Sequence, residues 1–158
     1  MRFLPCLYAF LGCMSFCFIF QVRKPLFILL CSAIGAVSWG VYLLVEPLGS
    51  DAARCFVATI VVSSLAELLA RLLKAPATIF LVIGIIPLVP GGGLYYTMDY
   101  LLNKNFPMFS QVGLQTASTA AAIAVGASMV TSMVRMFTWR QHSTRDVSKI
   151  TLRPMAAG

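Results

Sequence analysis

The chain has 158 residues and a net charge of +7, yet only 11% of its residues are charged, 59% are hydrophobic and mean hydropathy is +0.88. A soluble domain carries about 25% charged residues to face water, so a soluble globule is excluded. The basic residues stand singly or in pairs at the ends of apolar runs and in the C-terminal tail, without the interleaved aromatics of a nucleic-acid surface.

A helix needs about 20 apolar residues to cross the hydrocarbon core of a bilayer. The first apolar run, residues 3–20, meets that length, and Arg23-Lys24-Pro25 ends it. A cleaved signal would have a short apolar region closed by small residues. This run instead continues past Gly12-Cys13, so it is expected to stay as a helix. The second run spans 26–45, and Glu46-Pro47-Leu48-Gly49-Ser50-Asp51 reads as a charged, turn-rich loop. A third run, from Cys55 to about Leu73, contains Glu67 and ends near Arg71 and Lys74. The fourth, from Ala77 to about Met98, is interrupted by Pro87, Pro90 and three glycines, and Asn103 to Pro107 forms another loop. The fifth, from Val112 to about Trp139, precedes a polar segment without structural signal. The fold class is all-α: a polytopic membrane protein of about five transmembrane helices, the fourth broken. The expected division is a transmembrane domain over 1–139 and a polar cytoplasmic tail over 140–158.

Orientation follows from lysine and arginine in the loops. With the first loop cytoplasmic, Arg23, Lys24, Arg71, Lys74, Arg135, Arg140, Arg145, Lys149 and Arg153 lie inside, and Arg2, Arg54 and Lys104 outside. Nine against three puts the N-terminus outside and the tail in the cytoplasm. Five cysteines without CxxC spacing (Cys6, Cys13, Cys17, Cys31, Cys55) read as small apolar packing residues, and the single His142 lies in the tail. No metal and no cofactor is implied. Small residues recur at four-residue spacing, as Ser32, Ala36 and Gly40 in the second run and Thr116, Ala120, Ala124, Ser128 and Ser132 in the fifth. Such stripes let helix backbones approach closely in lipid. Flanked by Gln115 and Thr119, the second stripe also has the residue types of a polar cavity wall.

The most informative stretch is Gly84-Ile85-Ile86-Pro87-Leu88-Val89-Pro90-Gly91-Gly92-Gly93. Each proline removes a backbone donor and clashes with the preceding turn, and the glycines favour no continued helix. Counting about 1.5 Å per residue from Pro76 places the break near the bilayer midplane. Broken backbone at that depth must be covered by protein or line a wet cavity. A half-helix starting near Gly92 would point free N–H groups and a positive dipole end at a substrate carboxylate. Pro87, Pro90, Gly91, Gly92, Gly93 and Thr116 are therefore the candidate substrate-binding residues. Glu67 precedes Arg71 by four residues on one helix face, so the pair is either a proton-coupling carboxylate with its cation or a structural ion pair. Within one turn of the third helix, Glu67 is expected at a depth similar to the break. Asp99 is expected to be solvated.

Ala66-Glu67-Leu68-Leu69-Ala70-Arg71, Lys74-Ala75-Pro76-Ala77-Thr78 and the proline-glycine segment together resemble the threonine/serine exporter family, most closely the small membrane subunit of its two-chain type. The resemblance extends to about Arg135. It implies an inner-membrane exporter driven by the proton motive force, with a larger membrane subunit as partner, or otherwise a homo-oligomer. Some two-chain relatives are linked to succinate, so a dicarboxylate is the alternative substrate. A non-transporting assembly protein is a further alternative. An enzyme is not expected, because no intramembrane histidine or paired aspartate accompanies Ser128.

Overall fold

A computed structural model of the chain describes residues 4–151, with side chains described to residue 136, Leu48 apart. Arg2, His142 and the basic side chains beyond Arg135 lie outside what is described. Six helices follow in order: α1 (Leu4–Ile19), α2 (Pro25–Leu44), α3 (Asp51–Leu73), α4 (Ala77–Ile85), α5 (Gly91–Leu102) and α6 (Phe106–Thr151). Helix α6 runs on through the polar segment beginning at residue 140. Single 3₁₀ turns cover Glu46–Leu48 and Ile86–Leu88.

This is an all-α polytopic membrane protein. Helices α2, α3 and the 106–136 stretch of α6 are long and apolar enough to cross a bilayer. Residues 77–102 make a further span, bent by 51° at its break. Helix α1 is apolar but has 16 residues, about 24 Å of helix against a core of about 30 Å. Three straight spans, one broken span and a short apolar helix are thus what the five apolar runs become.

The reversals between helices are tight. Gln21, Lys74 and Lys104 take positive φ of 53°, 50° and 55° just past helix ends. The next amide bonds back to a carbonyl of the last turn, as Val22 N does to Cys17 O, Ala75 N to Ala70 O and Asn105 N to Tyr100 O. These left-handed caps satisfy carbonyls that the ends of the helices would otherwise leave unpaired.

Helices α1 to α4 pack around one apolar core of Cys13, Cys17, Cys31, Ile34, Val62, Ala66, Ala70, Phe80 and Ile83. All five cysteines are free, and four of them are buried as packing residues. Glycine is required twice here. A Cβ on Gly35 would strike the Cys13 sulfur, and one on Gly84 would lie 2.6 Å from Ile34 Cγ2 and 2.8 Å from Val62 Cγ1. Small residues let α1, α2, α3 and α4 close to that distance.

Helix α6 lies parallel to α3. Gln115 meets Asp51, a Cβ on Gly126 would lie 3.3 Å from the Phe56 carbonyl oxygen, and Arg71 reaches the Val134 carbonyl at 3.5 Å. The buried face of α6 is Thr116, Thr119, Ile123, Gly126 and Val130. The expected stripe is therefore split: Thr116 turns inward, while Ala120, Ala124, Ser128 and Ser132 are exposed. The reason is periodicity, since a strict four-residue step drifts off one face of a 3.6-residue helix and alternating steps of three and four stay on it.

Candidate functional site

The break begins where Pro87 removes a helical donor, after which a 3₁₀ turn closes at Val89. Val89 is extended, as residues before proline prefer. Pro90, at φ −76° and ψ 59°, is the centre of an inverse γ-turn in which Gly91 N donates to Val89 O at 2.7 Å. Helix α5 then starts without a side-chain cap, and its first helical bond runs from Leu94 N to Pro90 O. The amides of Gly92 and Gly93 precede that bond and so have no acceptor within the helix. A Cβ on Gly91 or Gly92 would meet nothing within 4 Å, whereas one on Gly93 would strike Thr116 of α6. Two glycines thus leave space open at the helix start, and the third permits α5 and α6 to touch.

That open space is a cavity of about 460 Å³, within the usual range for small-molecule sites, about 300–1,000 Å³. Its walls bring together Pro87, Pro90, Gly91, Gly92, Gly93 and Thr116, with Trp39 and Tyr42 of α2, Asp51 and Cys55 of α3, and Gln115 and Thr119 of α6. Thr116 and Thr119 donate to the carbonyls of Val112 and Gln115 at 2.7 and 2.9 Å, which leaves their oxygens able to accept. The Trp39 and Tyr42 rings stack with centroids 5.1 Å apart. The buried Trp39 Nε1 has no hydrogen-bond partner among the described residues.

Asp51 is the acidic group of this cavity. Tyr42 Oη donates to its Oδ1 at 3.0 Å and Gln115 Nε2 to its Oδ2 at 3.1 Å. Arg54 Nη1 stands 3.9 Å from Oδ1, while Arg54 Nη2 donates to the Glu46 carbonyl at 2.9 Å. Three helices converge on one carboxylate. The sequence alone puts Asp51 at the end of a loop, and an acid in a first helical turn is explained by the helix dipole alone. Its bond to Gln115 joins residues 64 apart in the chain. The one signal pointing to it is the Gln115, Thr116 and Thr119 face, which needs polar company inside a membrane.

Two expectations are corrected. The break does not lie level with the middle of α3: Leu88 packs with Cys55, Ala58 and Ile123, beside the first two turns of that helix. Because Ala75 folds back onto Ala70, α4 starts alongside the end of α3 rather than beyond it. Twelve residues then carry the chain past the centre, where Gly84 meets Val62. Nor does Glu67 lie at the depth of the break, and neither it nor Arg71 lines the cavity. From Asp51 to Glu67 is 16 residues of helix, about 24 Å. Glu67 is half-buried near the other end of α3 and Arg71 is exposed, bonded to the α6 backbone at Val134. Asp99 lies on α5, where its Oδ1 accepts from Asn103 Nδ2 at 3.2 Å.

A broken span, a cavity at the break and an uncapped half-helix start are features of transporters. The sequence model of the family described as Threonine/Serine exporter, ThrE, matches residues 5–133, which include every cavity residue named above. No curated protein and no solved structure matches the chain. The match covers the helices on both sides of the break, so the chain belongs to the threonine/serine exporter family and its role is membrane transport of the exporter type.

Proposed function

We propose that this chain is the small membrane subunit of a proton-driven exporter of threonine and serine, and that the cavity at the α4–α5 break is its solute site. The observation that carries the reading is the meeting, in one cavity, of an uncapped helix start and a polar wall drawn from α2, α3 and α6. Backbone donors at Gly92 and Gly93 suit a carboxylate, which the positive end of α5 also favours. Pro87 and Pro90 hold the break open, Gly91 and Gly92 leave room for the solute, and Thr116 forms the wall behind Gly93. A dicarboxylate is the second reading. It would want a cation in the cavity, and the nearest, Arg54, is tied to the Glu46 carbonyl and does not line it.

Two features support a membrane partner. Helix α5 has no buried residue, although broken backbone in lipid needs cover. The small residues Ala120, Ala124, Ser128 and Ser132 are exposed along α6, the kind of stripe on which a second helix packs. The larger subunit of a two-chain exporter fits both, and a homo-oligomer is the other outcome of a pull-down in mild detergent. In this reading the chain sits in the inner membrane, as its family suggests, and the charge count turns its N-terminus outside, which places the cavity in the outer half. Reporter fusions after Lys24 and Lys74 are expected to read cytoplasmic and one after Lys104 external.

Gly92→Leu tests the site. The Cβ of a leucine there would meet nothing within 4 Å and the rest of the side chain would occupy the cavity, so the protein is expected at normal membrane levels with threonine export lost. Normal export by that variant would sink the assignment of this cavity.

A further inference from the structure

The cavity also carries the means to distinguish an amino acid from other carboxylates. Of the acidic residues whose side chains are described (Glu46, Asp51, Glu67 and Asp99), Asp51 alone lines it. Each of its oxygens accepts one neutral donor, Tyr42 Oη at 3.0 Å on one and Gln115 Nε2 at 3.1 Å on the other. A carboxylate has about four lone-pair positions, so each oxygen keeps acceptor capacity. Neutral donors from α2 and α6 fix the orientation of the group without cancelling its charge. Among the described residues the nearby cation is Arg54, which pairs with Asp51 at 3.9 Å, beyond hydrogen-bond distance, and donates its hydrogen bond to the Glu46 carbonyl instead. The Asp51 side chain is 44% exposed.

Resting on the reading of this cavity as the solute site, we propose that Asp51 selects α-amino acids by accepting a hydrogen bond from the solute ammonium. The solute carboxylate faces the start of α5, so the zwitterion spans the cavity from the positive helix end to the fixed negative group. A carboxylate at the Asp51 end would be repelled. Monocarboxylates lacking the ammonium would forgo the bond to Asp51, and dicarboxylates would place like charges together.

The test uses threonine and 3-hydroxybutanoate, which is threonine without its amine. The full chain is produced in its own host, so that any partner subunit is present, and extracted in mild detergent. Thermal stabilisation by each compound then reports an apparent Kd. In the unaltered protein threonine is expected to bind at least about 10-fold tighter than 3-hydroxybutanoate, as a charge-assisted hydrogen bond implies. Asp51→Asn keeps an acceptor for Tyr42, and Gln115 can turn its amide to meet the new one. In that variant threonine should weaken until the two compounds bind within about threefold of each other, with 3-hydroxybutanoate unchanged or tighter. Equal weakening of both would show that Asp51 only holds the wall together, and unchanged affinities would place ammonium recognition elsewhere. Either result overturns the proposal. Gly92→Leu separates the two readings: loss of both compounds supports the cavity as the site, whereas normal binding of both shows that the cavity assignment itself failed.

Discussion

The two halves of this molecule solve the same problem in opposite ways. Around Phe80, helices α1 to α4 bury apolar side chains against each other, and glycines at 35 and 84 let side chains of neighbouring helices press against the backbone. Around Gly92, helix α5 buries nothing, two glycines open onto empty space, and a carboxylate is held between three helices. Glycines 35 and 84 therefore serve close packing, whereas glycines 91 and 92 leave vacant room. The first half is complete within this chain. The second leaves a cavity open and α5 and the small-residue stripe of α6 uncovered, the places where the proposed solute and partner would fit.

Substitutions sharpen or break that contrast. The largest effect is expected from Phe80→Ala. Its side chain is fully buried, with the Phe27 ring centroid 5.7 Å away, and truncation should cost about 3–5 kcal/mol, read as unfolding in detergent and low membrane levels. A cost near zero would mean that the apolar half is not a packed core. Next comes Gly84→Val, where a branched side chain meets Ile34 and Val62; overpacking should cost about 1–3 kcal/mol, while the same change at Gly91 should cost far less.

Gln115→Ala removes one of the two donors on Asp51. It should cost about 1 kcal/mol and lower threonine export several-fold, with a matching rise in the concentration needed for half-maximal transport. Unaltered export would show that Tyr42 alone suffices to hold the carboxylate. Ala124→Phe, on the exposed stripe, should leave the chain's own unfolding within about 0.5 kcal/mol. It should nevertheless reduce what co-purifies with the chain, and full recovery of the complex would move the partner's footprint off α6. The smallest effect is expected from Glu67→Gln. Lying about 24 Å along α3 from Asp51, it should change stability by under about 0.5 kcal/mol and keep the pH dependence of export. Export that no longer responds to pH in that variant would place the coupling proton at the far end of α3.

Much of the fold is legible in the amino-acid sequence. Helical spans follow from apolar run length, because lipid leaves the backbone no other way to satisfy its hydrogen bonds. The break follows from Pro87, Pro90 and three consecutive glycines, since their effects on φ and on backbone donors are local. Free buried cysteines follow from their place inside apolar runs. The candidate residues of the break and Thr116 do share one cavity wall, for the same local reason that makes them visible in the sequence.

What stays hidden in the sequence is whatever depends on two helices meeting. The depth of the break depends on the fold-back at Ala75, and the buried face of α6 on its parallel contact with α3. Asp51 becomes a cavity residue through Tyr42 of α2 and Gln115 of α6, and Glu67 is left out of that cavity by the length of α3. Composition and periodicity report the solvent around each helix and the points where it must stop, which are properties of one segment at a time. Which carboxylate faces the opening is set by the register between helices, and that register is decided only when Gly84, Gly93 and Gly126 let the spans close on one another.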